Sequence, residues 1–474
     1  MRSFLCLILV MAGSFSGYCQ DKVVRDVLEM GRNDNCTMEH ADYLVNRIGG
    51  RIVGSAALEE AEKWVESQFR SWGLEVLVQE VGETSVGFDR GPWFGRMLSE
   101  DGMVLHFGTP SYTAGTKGPQ KGHVVLEPHS KKEFDRMKGT FKGAWVLMDE
   151  VSTGWPVNWR EQSDTLFYFE MVEAGILGFI QKSDKYMTLL YDRKHFNEIS
   201  PRNLPEVCDI KLDPEQFDII RRKAESSEDF LLEFDIRNHF RMGPVKYHNV
   251  IGIIRGKKHP DEYVMLGAHL DAFDSGSGAV DDGNGTAVTM EAARLLASCG
   301  ASPDRSIMFC IWTGEEFGLL GSKYFVQNKT VPYDRISNYF NRDGGPTMTT
   351  SIIVPPAMYD DFVKVCKPVL NYVKDAPFTV EMRQGDPRPK PEKAGGSDHA
   401  YFAMNGIPTI SFRESDPYGY NFNYREIWHT ERDRYDKLIP EYMENSAVIS
   451  AVVAYGLANL NHLLSREGLY NNPK

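Results

Sequence analysis

The sequence predicts an α/β fold, a mixed, largely parallel sheet flanked by helices and interrupted by a β-rich insertion. Three observations predict it. Beyond about residue 247, apolar strand-like runs alternate with helical ones, the pattern of strands joined by crossover helices. Between residues 91 and 246 that alternation gives way to short strand-like pieces broken by Gly, Pro and charged turns. The acidic and imidazole residues that stand out fall just past strand ends, where the ligand crevice of an open α/β sheet lies.

Residues 1–19 open with Arg2, continue with an apolar run from Phe4 to Ala12 and end in Ser16, Gly17, Tyr18 and Cys19. That is the make-up of a secretory signal peptide. The run is too short to span a bilayer, and no later segment approaches the roughly 20 apolar residues of a membrane-spanning helix. The expected product is soluble and secreted or periplasmic, with cleavage before Gln20. A lipid anchor on Cys19 is the weaker alternative, because Tyr18 is bulky for the position before it.

Residues 20–90 begin the main domain. From Ser55 to Trp72, Ala61, Trp64, Val65 and Phe69 recur at helical spacing, and Gly73 supplies the stop. Leu74 to Val81 alternates apolar with polar and predicts a strand. The insertion, residues 91–246, contains strand-like pieces such as HVVLE, AWVLMDE and ILGFIQK. In residues 247–474, strand patterns at Tyr263–Leu266, Ser306–Ile311, Ile336–Phe340 and Thr409–Phe412 alternate with helical ones at Thr286–Ala297, Leu319–Gln327 and Tyr359–Val373. A helix near Glu441–Leu464 closes the domain.

A 474-residue chain that is 42% hydrophobic buries a sizeable core. Its net charge of −13, with no block of Lys or Arg, provides no footprint for nucleic acid or an anionic membrane. Of the cysteines, Cys6 and Cys19 fall in the leader, while Cys36, Cys208, Cys299, Cys310 and Cys366 are widely spaced. With no CxxC or CxxH pair they read as core thiols with one disulfide at most.

The chemistry lies in four pieces. GAHLDAFDSGSGAVDDGNG follows the strand YVML; His269 and Asp271, two apart in extended chain, point the same way, so the carboxylate reaches the imidazole or its surroundings. Asp281 and Asp282 follow a Gly-rich loop that turns back toward His269, and a carboxylate there can bridge two cations. WTGEEFGLLGS leaves the next apolar strand, so that one of Glu315 and Glu316 can ligate metal while the other accepts a proton from water. Asp343 ends a third strand, and His429 follows in EIWHTERDRYDKL. Singly, these are an Asp/Gly turn, helix N-terminal charge and isolated polar residues. Together, two His and three carboxylates without thiolates match the ligands of a zinc pair.

These motifs resemble the M28 family of metallopeptidases, particularly its carboxypeptidase Q branch. The resemblance rests on HLDxxDxGxGAxDDG at His269 to Gly283, WTGEE, Asp343, GGSDHAYFAMNGIP from Gly395, the late HT with Asp433 behind it, and DYLVNRIGGRIVGSAALEEAEKWV near the N-terminus. It implies a zinc exopeptidase fold with a protease-associated-like insertion. It also implies two zinc ions per chain, one held by His269, Asp281 and Asp343, the other by Asp281, Glu316 and His429. Glu315 would be the general base and Asp271 would fix His269.

The implied activity is hydrolysis of short peptides, dipeptides foremost, with a homodimer by analogy alone. Aminopeptidase action is the nearest alternative. A single-zinc glutaminyl-peptide cyclotransferase, whose branch the Trp428–Thr430 stretch resembles, and a binding protein on a peptidase scaffold are the others. Trp428 departs from the pattern, since an aromatic hydroxyl near there serves the oxyanion in parts of the family. Asp398 and His399 read equally as pocket residues and as a turn with a helix cap.

Overall fold

The computed structural model of the chain describes residues 22–99, 102–152, 167–183 and 196–471. The expected leader, residues 1–19, lies outside them.

A five-stranded sheet carries the site. Its strands are β1 (Glu75–Asp89), β2 (His239–Ile254), β3 (His259–His269), β4 (Arg305–Trp312) and β5 (Ile336–Asn341), in the spatial order β1-β2-β4-β3-β5. β4, β3 and β5 are mutually parallel, while β2 runs antiparallel to both β1 and β4. The sheet is mixed, as expected from the sequence. Every residue of β4 is buried, so it reads as a continuous apolar run rather than an alternating one.

Helices cover the sheet. The helix Ala56–Ser71 is capped by Ser55, whose hydroxyl accepts from the Leu58 amide, and it buries Leu58, Ala61, Val65 and Phe69. Gly73, at φ +80°, stops it as expected. The helix Asn284–Ser298 is almost wholly buried and packs against the closing helix Pro440–Ala458.

Several boundaries differ from the sequence reading, and at three of them a side chain is the cause. The closing helix stops at Ala458 rather than near Leu464, because the Asn459 side chain donates to the Tyr455 carbonyl (2.8 Å) and accepts from the Asp304 amide (3.1 Å). The helix from Tyr359 ends at Cys366 and tightens into a 3₁₀ turn at Lys367–Val369, since Pro368 has no amide to continue the ladder. The strand expected at Thr409–Phe412 runs instead over Phe412–Ser415. Upstream of it, the Asn338 side-chain amide takes both hydrogen bonds of Ile410 at 2.9 Å and replaces a backbone ladder.

Phe412–Ser415 joins Met348–Val354 and Thr379–Met382 in a three-stranded sheet. Residues 93–236 contribute all eight strands of a third sheet, with Trp145, Phe234, Phe107 and Ile210 in its own core. Gln120–Leu126, Ala144–Ser152 and Gly178–Ser183, which carry the three strand-like pieces noted above, lie side by side in parallel. This sheet's unit reaches the main one through loops: Ser111 donates to Asp274 (2.8 Å), as does Arg90 (2.8 Å), and His106 meets Glu431 at 2.9 Å. Cys36, Cys208, Cys299, Cys310 and Cys366 are all free thiols.

Candidate metal centre

Three neighbouring parallel strands deliver chemistry to one edge of the sheet. His269, the last residue of β3, lies in register with Trp312, the last of β4, so the turn carrying Glu315 and Glu316 leaves beside it. Asn341, the last of β5, lies opposite Gly267 and brings Asp343 to the same edge. Asp281 comes from the segment between β3 and the helix Asn284–Ser298. That segment folds back at Gly278 (φ +61°), where a Cβ would stand 2.1 Å from that of Ala272. His429 comes from the irregular chain that follows Tyr424–Glu426.

The five side chains form two overlapping clusters, His269–Asp281–Asp343 and Asp281–Glu316–His429, with donor atoms within 4.8 Å of one another in each. Asp281 belongs to both. Its Oδ1 lies 3.2 Å from His269 Nε2 and its Oδ2 lies 3.1 Å from His429 Nε2. Glu316 Oε2 is 2.9 Å from His429 Nε2, and Asp343 Oδ1 is 3.8 Å from His269 Nε2. Four of the five are buried, and the Asp343 side chain is 11% exposed.

His269 Nδ1–H donates to the carbonyl oxygen of Asp271 at 2.9 Å, the tautomer that this geometry assigns. Nε2 then presents its lone pair to carboxylate oxygens. Acceptors facing acceptors in a buried site repel unless a cation lies between them. A proton is the only substitute. Burial works against charge on both imidazoles, yet the carboxylates outweigh it, raising His269 well above its ordinary range and His429 to about 9. Two imidazoles, three carboxylates and no thiolate fit a pair of catalytic zinc ions.

A further layer aims these groups. Residue 271 does hold His269, but through its carbonyl; its carboxylate stands 3.7 Å from the imidazole and instead accepts from the amides of Glu315 (3.0 Å) and Glu316 (3.2 Å). Asp433 accepts from the amides of Val280 (2.6 Å) and Asp281 (3.1 Å) and so fixes the backbone under the shared carboxylate. Arg51, wholly buried, donates to the carbonyls of Leu270, Ser277 (3.1 Å) and Gly278 (3.1 Å), fastening the same loop. Asp282 accepts from the His269 amide at 3.2 Å. His429 sits at φ +54°, a left-handed conformation costing roughly 1–3 kcal/mol outside glycine. Trp428, stacked on its ring at 3.8 Å, and Phe273, edge-on at 4.7 Å, hold it there.

Glu315 is buried beside the clusters without belonging to either. Burial raises its pKa well above the carboxylate range, and Asp343, Glu316 and Asp398 push it further against the opposing pull of His269. Asp398 is buried and bonded to Ser322, while His399 lines a cavity with Asp343. The roles of Asp433 and Arg51 were missed in the sequence, although both lie in the quoted motifs. An Arg directly after the Gly49–Gly50 pair is the signal the sequence offers for Arg51.

The sequence model of peptidase family M28 matches residues 249–454. Carboxypeptidase Q from Mus musculus is 25% identical over 464 residues, covering 94% of this chain and 90% of the relative. Residues 249–454 thus match peptidase family M28, and the likeness to carboxypeptidase Q runs along nearly the whole chain. The expected enzyme class, a zinc-dependent exopeptidase, holds with that match and those relatives. Carboxypeptidase Q from Homo sapiens is 23% identical with the same coverage. Among solved structures, a peptidase M28 precursor from Shewanella amazonensis superposes with a TM-score of 0.63 at 20% identity, over 94% of this chain and 98% of that one. A zinc aminopeptidase from Bacillus subtilis superposes at 0.57 with 19% identity, over 92% and 97%. At such identities these structures establish that this chain shares their fold. Among the described residues no helix is long and apolar enough to cross a membrane.

Proposed function

We propose that this chain is an exported di-zinc M28 peptidase that hydrolyses short peptides, dipeptides foremost. In this reading residues 1–19 direct export, residues 20–90 and 247–474 form the catalytic domain, and residues 91–246 are an inserted protease-associated-like domain, except that the stretch from His239, as the start of β2, belongs with the catalytic domain's sheet. The observation that carries the proposal is the double engagement of Asp281, one oxygen toward each imidazole. His269 and Asp343 complete one zinc site, and Glu316 and His429 the other. A single-zinc cyclotransferase has no use for a carboxylate shared between two histidines.

When bound, the zinc pair polarises the scissile carbonyl and lowers the pKa of the attacking water. The residues do the rest. Glu315, buried beside both clusters, takes the proton of that water and hands it to the departing amine. Asp271 holds Glu315 and Glu316 in register through their amides, and Asp433 with Arg51 holds the loop of Asp281. Zinc quantification on pure protein, together with a dipeptide panel, tests the reading. Two zinc ions per chain with dipeptide hydrolysis are expected; one zinc with cyclisation of N-terminal glutamine overturns it.

A further inference from the structure

Glu315, the base of the proposed hydrolysis, has no tether of its own. Its carboxylate forms no hydrogen bond or ion pair among the described residues, whereas Glu316 beside it belongs to a cluster and stands 2.9 Å from His429 Nε2. The position of the Glu315 carboxylate is therefore set by its backbone, the loop of residues 313–321. Asp271 fixes that loop through the Glu315 and Glu316 amides. Its two ends are fixed from another strand.

Asn249 lies on β2, wholly buried, next to the equally buried Val250 and Ile251. Its side chain reaches both ends of the loop. Oδ1 accepts from the Thr313 amide at 3.2 Å, and Nδ2 donates to the Gly321 carbonyl at 3.0 Å and to Gln79 Oε1 on β1 at 3.0 Å. A backbone amide only donates and a carbonyl only accepts, so these partners fix which side-chain atom is the oxygen. Gln79 in turn donates to the Thr330 hydroxyl at 2.8 Å. The ends of the loop also bond each other, the Gly321 amide to the Thr313 carbonyl (2.8 Å) and the Leu320 amide to the Gly314 carbonyl (3.0 Å). No side chain fits at the exit, because a Cβ on Gly321 would stand 2.1 Å from Asn249 Oδ1. A polar side chain in an apolar strand costs free energy unless its groups are matched. Those of Asn249 are matched by the loop and by the glutamine that backs it.

We infer that Asn249 is a positioning residue for the proton transfer: by clamping both ends of the 313–321 loop it sets where the untethered Glu315 carboxylate stands relative to the zinc pair. None of its hydrogen bonds goes to a side chain of the metal clusters, so it acts through the backbone of the loop alone. The inference rests on the peptidase reading and adds to it the device that places the base.

Two variants test it, with zinc saturating throughout. Asn249→Asp keeps the acceptor for the Thr313 amide but turns an oxygen toward the Gly321 carbonyl. Asn249→Leu has similar bulk and removes both contacts without burying a charge, so it serves where the first does not fold. Either is expected to lower kcat for a dipeptide by about tenfold to hundredfold, the effect of moving a reacting group by about 1 Å, with KM changed by less than about twofold. Val65→Ala, on the buried face of the helix Ala56–Ser71, is the control that loses stability and keeps kcat. Combination with Glu315→Gln separates positioning from general loosening: once the base is gone, the Asn249 substitution should lower the residual kcat by less than about threefold. Wild-type kcat in the Asn249 variants, or their full loss repeated in the Glu315→Gln background, overturns the inference and leaves the peptidase reading standing. Undiminished turnover in Glu315→Gln alone removes the base assignment and the inference built on it. Hydrogen exchange gives a readout independent of turnover. Amides of residues 313–321 that exchange about tenfold faster in the Asn249 variants, with those of residues 56–71 unchanged, uphold the clamp even if the wild type cleaves no dipeptide, an outcome that sinks the peptidase reading alone; wild-type exchange in the loop refutes the clamp.

Discussion

Asp433→Asn isolates the support beneath the shared carboxylate. The native side chain accepts from the Val280 amide at 2.6 Å and the Asp281 amide at 3.1 Å, both buried. Asn keeps one acceptor oxygen, so one amide is left facing an NH₂ group, and Arg51 loses a compensating charge. Losing one charge-assisted hydrogen bond in such a place costs about 1.5–3 kcal/mol. If that cost falls on the loop that presents Asp281, zinc affinity drops by about tenfold to hundredfold, the usual effect of removing a group that orients a metal ligand. Chelator competition, following zinc release from each variant, measures it, and kcat/KM at saturating zinc shows how much of the loss added metal restores. Asp436→Asn, three residues away and 66% exposed, is the control and should change nothing measurable. Wild-type zinc affinity in Asp433→Asn would refute the assignment of Asp433 as the loop's anchor.

Glu315→Gln keeps the shape and both clusters, so zinc content should match the wild type while kcat falls by about 10²–10⁴-fold; retained turnover would move the base elsewhere. Asp271→Asn removes one of two acceptors for the Glu315 and Glu316 amides and should lower kcat by about tenfold or more with KM little changed. A variant that instead loses His269 coordination, seen as loss of one zinc with kcat preserved per bound pair, would return the Asp271 carboxylate to the imidazole. Trp312→Ala empties a fully buried position and removes the indole N–H that the Tyr339 hydroxyl accepts at 2.7 Å. Urea unfolding should report a loss of about 3–5 kcal/mol, and a loss below 1 kcal/mol would mean that the end of β4 does not brace the site.

The parts of this site that follow strand periodicity were legible in the sequence. His269, Glu315, Glu316 and Asp343 stand just past apolar runs, and the carboxyl ends of parallel strands converge whatever the loops do. What periodicity does not carry is which amide a buried carboxylate meets. Alternate residues of an extended chain share a face, which brings the Asp271 carboxylate to the imidazole or its surroundings, yet it serves a turn more than 40 residues on. Asp433 and Val280 are 153 residues apart, and no local pattern links them. The misjudged boundaries have the same origin. Asn338, Asn459 and Pro368 each end or replace a backbone ladder through a side chain, while the hydrophobic pattern runs on past them.

The central claim is that Asp281 is shared by two zinc ions. Crystals grown with zinc, measured for anomalous scattering at the zinc edge, address it directly. Two peaks about 3.5–4 Å apart, one beside His269 and Asp343 and the other beside Glu316 and His429, with an Asp281 oxygen on each, are the predicted result. A single peak, or a pair in which Asp281 touches only one ion, would contradict it.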